Sequence, residues 1–109
     1  MDTNCIKIEY NNHFVGFVPF GLSIERNIKT QTINLETNRL MFDYNLSQKI
    51  VDFNGQINPF NIICYNSFNK KLLKFSDCWI TNVPRKLFCK DILYIDNVKL
   101  SCCKMEKQS

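Results

Sequence analysis

Apolar and polar residues alternate along most of this chain with the period of two that places successive side chains on opposite faces of a strand. In Cys5–Tyr10, Ile6, Ile8 and Tyr10 fall on one face and Lys7 and Glu9 on the other. Asn11-Asn12 tolerates positive φ and predicts a two-residue turn into a second strand, His13–Val18. Pro19-Phe20-Gly21 breaks the run. Leu22, Ile24 and Ile28 then share one parity, Thr30 and Thr32 follow it, and the apolar phase moves to Ile33 and Leu35. One long strand over Leu22–Leu35, bulged or bent near Thr32, accounts for that slip.

Leu40, Phe42 and Tyr44 alternate again. Ser47–Phe53 followed by Asn54-Gly55 predicts the one short helix, capped by Ser47, with Ile50 and Val51 inward and Gly55 ending it; a strand fits the same stretch nearly as well. Phe60, Ile62 and Cys64 share a face, and the Ser67-Phe68-Asn69-Lys70 turn leads into Lys71–Ile80. Pro84 marks a loop or an edge. Ile92–Lys104 closes the pattern, with Val98, Leu100 and Cys102 inward and Lys99 and Ser101 outward.

Strands spaced in this way and separated by Asn, Gly and Pro signals predict a single β domain over residues 1–109. Its class is all-β: a small antiparallel β-sandwich or open β-barrel with at most one short helix. The chain is large enough for a core and too small to divide. Its 45% apolar and 22% charged composition is that of a globular domain rather than a disordered one.

No apolar stretch reaches the roughly 18–20 residues of a membrane helix. The opening residues MDTNCIKIEYNN lack a basic start followed by an apolar run, which predicts a chain made and kept in cytosol, or built into something assembled there. Alanine is absent, and Asn, Ile, Lys and Phe are heavily used. These residues have A/T-rich codons, so an AT-rich genome such as that of a phage, a virus or a low-GC bacterium is the expected source.

The +4 formal charge is uneven: residues 1–55 carry five basic and six acidic side chains, residues 56–109 nine and four. A solvated basic face accounts for this, and so does an electrostatic footprint for nucleic acid or an acidic partner. Cys5, Cys64, Cys78, Cys89, Cys102 and Cys103 contain no CxxC pair, and His13 is the only histidine. Zinc ligands normally pair two to four residues apart on a turn, so no metal and no cofactor is expected. Without a targeting signal a disulfide framework is not expected either, and the cysteines read as buried or half-buried free thiols.

A nucleophile needs an adjacent base, and the lone histidine lies one residue beyond a hairpin turn. Gly16, Gly21 and Gly55 form no phosphate-binding loop, and the carboxylates are scattered, with Asp43, Asp52 and Asp77 read as solvent-facing or turn-capping. No catalytic residue is assigned, and the chain reads as a non-enzyme.

Residues 57–105 are similar to the C-terminal half of the contractile-phage tail-tube family, whose fold is shared with the secreted tube protein of type VI systems. Ile57–Tyr65 resembles that family's first strand of this half. Leu72-Leu73-Lys74-Phe75-Ser76-Asp77-Cys78-Trp79-Ile80, with its Phe-x-Asp-x-Trp cluster, resembles the second. Ile92-Leu93-Tyr94-Ile95 and Asn97-Val98-Lys99-Leu100-Ser101-Cys102 resemble the closing strand. The resemblance implies a virion or tail structural protein (tube, baseplate or connector), located in the virion and assembled in the host cytoplasm, whose partners are other copies of itself or neighbouring tail proteins.

A long strand with little to blunt its edge suits such assembly. The expected interface is Ile24, Arg26, Ile28 and Thr30 together with an exposed loop, Pro84–Lys90, carrying Arg85, Lys86 and Phe88. A second function is a small barrel binding single-stranded nucleic acid, stacking bases on Phe68, Phe75, Trp79 and Tyr94 and holding phosphates with Lys70, Lys71, Lys74, Arg85 and Lys86. A third is a phage-encoded inhibitor of a host protein. No membrane partner is expected.

Overall fold

The computed structural model describes residues 5–51 and 56–107. Nine strands run in chain order: β1 (Cys5–Tyr10), β2 (His13–Phe17), β3 (Ser23–Asn27), β4 (Thr32–Asp43), β5 (Phe60–Tyr65), β6 (Lys71–Ile80), β7 (Arg85–Cys89), β8 (Ile92–Cys102) and β9 (Lys104–Lys107). A four-residue helix, α1 (Tyr44–Ser47), and a 3₁₀ turn, Gln48–Ile50, lie between β4 and β5.

All pairings are antiparallel. Going round, β4 pairs with β2, β2 with β1, β1 with β5, β5 with β6, β6 with β8, and β8 with β4 again. Six strands therefore close into a barrel, and closure removes their free edges. The ring is held unevenly. The β4–β8 ribbon is paired from Ile33↔Cys102 to Asp43↔Ile92. At the β2–β4 seam the pairs are only Gly16↔Phe42 and Phe17↔Met41, and at the β6–β8 seam only Trp79↔Ser101 and Ile80↔Leu100. β9 continues the line of β8 and pairs with β6 from Leu73↔Lys107 to Ser76↔Lys104.

A barrel this narrow is filled by side chains. Ile8, Leu40, Phe42, Phe60, Ile62, Phe75, Ile95, Val98 and Leu100 are buried inside it, as the alternation predicts for β1, β5 and β8. Phe42 and Phe60 meet edge to face, ring centroids 5.7 Å apart. Ile50 from the 3₁₀ turn is buried in the same core. No buried side-chain nitrogen or oxygen among the described residues lacks a hydrogen-bond partner. Thr37 achieves this by donating its Oγ1 hydrogen to the Gly21 carbonyl at 2.8 Å, which ties the segment before β3 onto β4.

The turns follow local chemistry. Asn11 and Asn12 both take positive φ, 50° and 66°, as a two-residue hairpin turn requires. The Asn66 side chain accepts hydrogen bonds from the backbone N–H of Phe68 and Lys70, at 2.9 and 3.0 Å, and folds the turn into β6.

Four expectations change. Leu22–Leu35 is two strands, not one bulged strand: Asn27 accepts from the N–H groups of Lys29 and Thr30, at 3.1 and 3.2 Å, Gln31 takes φ 55°, and the chain reverses between β3 and β4. The helix starts earlier, because Asp43 rather than Ser47 caps it by accepting from Leu46 N–H at 3.0 Å. The Ser47 hydroxyl instead donates back to the Tyr44 carbonyl. The expected end of that helix at Phe53 and Gly55 lies outside the described residues. Pro84–Lys90 is not a loop but β7, turned into β8 through Lys90 at φ 56°. Phe75 and Trp79 cannot both stack on a base from one exposed face: Asp77, at φ 53°, bulges β6 so that Phe75 and Cys78 point inward and Trp79 outward.

Candidate assembly surface

Every residue of β3 and of β7 is exposed. The reason is their place in the sheet. β3 pairs only with β4, along residues 32–36, and β7 only with β8, along residues 92–96. They are the two ends of the hydrogen-bonded path among the described residues. Because residues 92–96 of β8 lie against 39–43 of β4, β3 and β7 sit at diagonally opposite corners of the β4–β8 ribbon. The result is a four-stranded sheet, β3-β4-β8-β7, carried by the barrel, with no further strand paired to either outer edge among the described residues. Each outer edge presents backbone donors and acceptors that can template another strand.

The predicted interface residues divide between these corners. Ile24 and Arg26 are on β3, and Ile28 and Thr30 in the β3–β4 turn; Arg85, Lys86 and Phe88 are on β7. They form two surfaces rather than one. Ile24 is 45% and Phe88 64% exposed, and neither adds to the barrel core. Beside Phe88 an apolar groove of about 360 Å³ is lined by Tyr44, Val51, Ile57 and Leu93, with Lys86 at its rim. Phe88 meets Tyr44 edge to face at 5.4 Å.

On the outer face of the ribbon, the Arg39 guanidinium grips Asp96 in a two-pronged bridge, Nε–Oδ1 2.6 Å and a second N–H to Oδ2 at 3.1 Å, and lies over the Tyr94 ring at 4.8 Å. The hydrogen bond from Arg39 is the main reason the Asp96 carboxyl is held below its usual range, with the charges of Arg39 and Arg85 adding to it. A carboxylate stabilised in this way supports the fold above its unfolded pKa and loses that support as pH falls through its folded value. Arg39→Gln should therefore move the Asp96 titration back up, read by NMR of its carboxyl carbon, and flatten the acid limb of the stability–pH curve.

The nucleic-acid candidates are dispersed. Lys70 ends the β5–β6 turn whose tip carries exposed Phe68, Lys71 and Lys74 lie along β6, and Trp79, 36% exposed, stands beyond the Asp77 bulge. Phe75 is fully buried and cannot stack on a base, which corrects that assignment. Tyr94 is covered by Arg39. A different aromatic cluster went unpredicted: Lys7 Nζ lies over both Phe14 and Tyr65, at 4.7 and 5.0 Å, on the outside of β1, β2 and β5. Opposite Lys7, Ile63 is fully buried although it faces away from the barrel. The consecutive apolar run Ile62-Ile63-Cys64-Tyr65 is the sequence signal for it, since a strand covered on both faces loses its alternation.

The thiols are free, with Cys64, Cys78 and Cys102 buried, Cys5 half-buried, and Cys89 and Cys103 exposed; the expectation of burial fails for the last two. Burial pushes the Cys64 thiol up to about 11. A thiol-reactive dye added to the native reduced protein should label Cys89 and Cys103 fast and Cys64 only on unfolding, as peptide mapping would read. No group of three or more His, Cys, Asp or Glu side chains among the described residues could hold a metal ion, and no helix is long and apolar enough to cross a membrane. No protein-family model matches the chain and no curated protein matches it, so the surface geometry carries the functional argument.

Proposed function

We propose that this chain is a non-enzymatic structural subunit, of the virion-tail kind its C-terminal half resembles, that assembles by pairing β3 of one copy with β7 of the next. The observation that carries this reading is the pair of exposed five-residue strands at opposite corners of one sheet. Since β3 and β7 point in opposite directions, a rotation that brings one subunit's β3 beside the next subunit's β7 makes an antiparallel pair. Such a contact is heterologous, and repeated by a rotation that closes on itself it makes a ring.

Register follows from face, charge and tilt. Glu25, opposite Asn34, lies on the outer face, as does Arg85, opposite Asp96; Ile24 and Phe88 lie on the other. Setting Glu25 against Arg85 of the neighbouring copy brings Leu22 against Phe88 and keeps every face continuous. Asn34 then aligns with Arg39 of the neighbour, a step of five residues, or about 17 Å, for four strand widths of about 19 Å. The strands would tilt about 40° from the ring axis, within the range of closed barrels. Purified protein should give rings or one discrete oligomer by light scattering and negative-stain imaging; a monomer at every concentration would count against self-assembly.

A second reading, single-stranded nucleic-acid binding, is favoured by exposed Phe14 and Phe17 beside Lys7 on the outer face, with Lys71 and Lys74 two strands away. Retention of the protein on an immobilised oligonucleotide, lost at moderate salt and in Phe14→Ala, would support it.

A further inference from the structure

Cys78 and Cys102 are far apart in sequence, fully buried, and beside each other at the β6–β8 seam. The register places them opposite. Trp79 pairs with Ser101 and Ile80 with Leu100, so the next pair inward is Cys78 with Cys102. The Thr81 N–H bonds to the Lys99 carbonyl at 2.8 Å, which makes that pair, and by alternation Trp79↔Ser101, the hydrogen-bonded kind. Cys78↔Cys102 is then the non-hydrogen-bonded kind, whose Cα atoms approach to about 4.5 Å, within the span a disulfide bridges. Set against each other by this register, the two thiols share their protons unequally: Cys102 is held below and Cys78 above the ordinary thiol value. The backbone N–H of Lys104 also favours the Cys102 thiolate, and the Cys78 Sγ hydrogen can point to the Phe75 carbonyl at 3.5 Å.

We infer that Cys78 and Cys102 are an oxidisable dithiol, a covalent modification site that a low-molecular-weight disulfide such as oxidised glutathione converts into a cross-strand staple closing the barrel. The Cys102 thiolate attacks one sulfur of the reagent, forming a mixed disulfide and expelling a thiolate that takes up the proton lost from Cys102. Cys78, losing its own proton, then attacks the Cys102 sulfur, forming the Cys78–Cys102 bond and releasing the second thiol. Two protein thiols are oxidised and one reagent disulfide is reduced to two thiols. The reaction needs the β6–β8 seam to open; its ladder has two residue pairs, flanked by the bonds of Thr81 and Asn82 to β8 on one side and by β9 on the other. A chain folded in a reducing compartment would be stapled after entering an oxidising one. This inference is independent of the assembly reading.

The test uses Cys5→Ser/Cys89→Ser/Cys103→Ser protein, which keeps the buried thiols and removes the half-buried and exposed ones, incubated with oxidised glutathione under native conditions. The expected result is a mass loss of two hydrogens, about 2 Da, and a linked peptide pair joining Cys78 to Cys102. The thermal midpoint should rise on the order of 10 °C and return on reduction. Cys78→Ala in the same background, itself checked for folding by circular dichroism, should show neither change. Three results would overturn the inference: no bond under native conditions, a bond through Cys64, or a Cys78–Cys102 bond that lowers the midpoint.

Discussion

Gly16→Ala is expected to open the barrel at its weaker edge, the β2–β4 seam. Gly16 pairs with Phe42, and a Cβ at position 16 would run into the Met41 carbonyl oxygen while lying 3.1 Å from both the Met41 carbonyl carbon and the Phe42 Cα. These are backbone atoms of a strand pinned on its other side by β8, so they cannot swing away as a side-chain tip would. Overpacking of this kind costs about 3 kcal/mol or more, against the roughly 5–15 kcal/mol that holds a domain together. The seam has one other residue pair, Phe17↔Met41, so its loss separates β2 from β4. Urea unfolding should show a loss of unfolding free energy of that size, and hydrogen exchange should lose protection first at Gly16 and Phe17. Gly21→Ala is the control. Gly21 has φ +87° and nothing within 4 Å, so only backbone strain, about 1 kcal/mol, is expected there.

Phe75→Ala should be the most damaging single truncation on β6. The ring is fully buried in the barrel core, and removing it leaves a cavity that neighbouring strands, locked by hydrogen bonds on both sides, cannot fill. The expected cost is about 3–5 kcal/mol by denaturant unfolding. Trp79→Ala, four residues along the same strand, should cost less than half as much, because the bulge at Asp77 turns Trp79 out to solvent. If the two substitutions cost the same, the bulge is misplaced and Trp79 belongs to the core.

That bulge also shows where reading the sequence stops. Strands β1, β2, β5 and β8 were legible because Ile6 and Ile8, Ile62 and Cys64, or Val98, Leu100 and Cys102 keep strict phase, and because Asn11-Asn12 is a turn by its own chemistry. The β3–β4 reversal was hidden because Ile28-Lys29-Thr30-Gln31 contains neither Gly nor Pro, and the Asn27 side chain that organises it looks like any polar strand residue. β7 looks like a loop in sequence because a strand exposed on both faces has no apolar phase to detect. Ile24, Arg26, Arg85, Lys86 and Phe88 are legible as exposed positions, but their arrangement is not. Only the pairing of β4 with β8 places Ile24 and Phe88 at opposite corners, and no local pattern encodes that pairing. The closed ring of strands depends on it too, which is why alternation left a sandwich and an open barrel both standing.

In the proposed assembly β3 of one copy pairs with β7 of another, with Glu25 beside Arg85. The most direct test is the native mass, by light scattering at matched concentration, of wild type, Glu25→Arg, Arg85→Glu and the double variant. Both positions are on exposed strands, so the fold should persist; Glu25→Arg should leave the thermal midpoint nearly unchanged, and Arg85→Glu, which sets a carboxylate opposite Asp96, should lower it modestly. The expected result is an oligomeric wild type, two single variants shifted to monomer by like charges set together, and a double variant that assembles again with the pair exchanged. Single variants that assemble as well as wild type, or a wild type that stays near 12.9 kDa throughout, would contradict it.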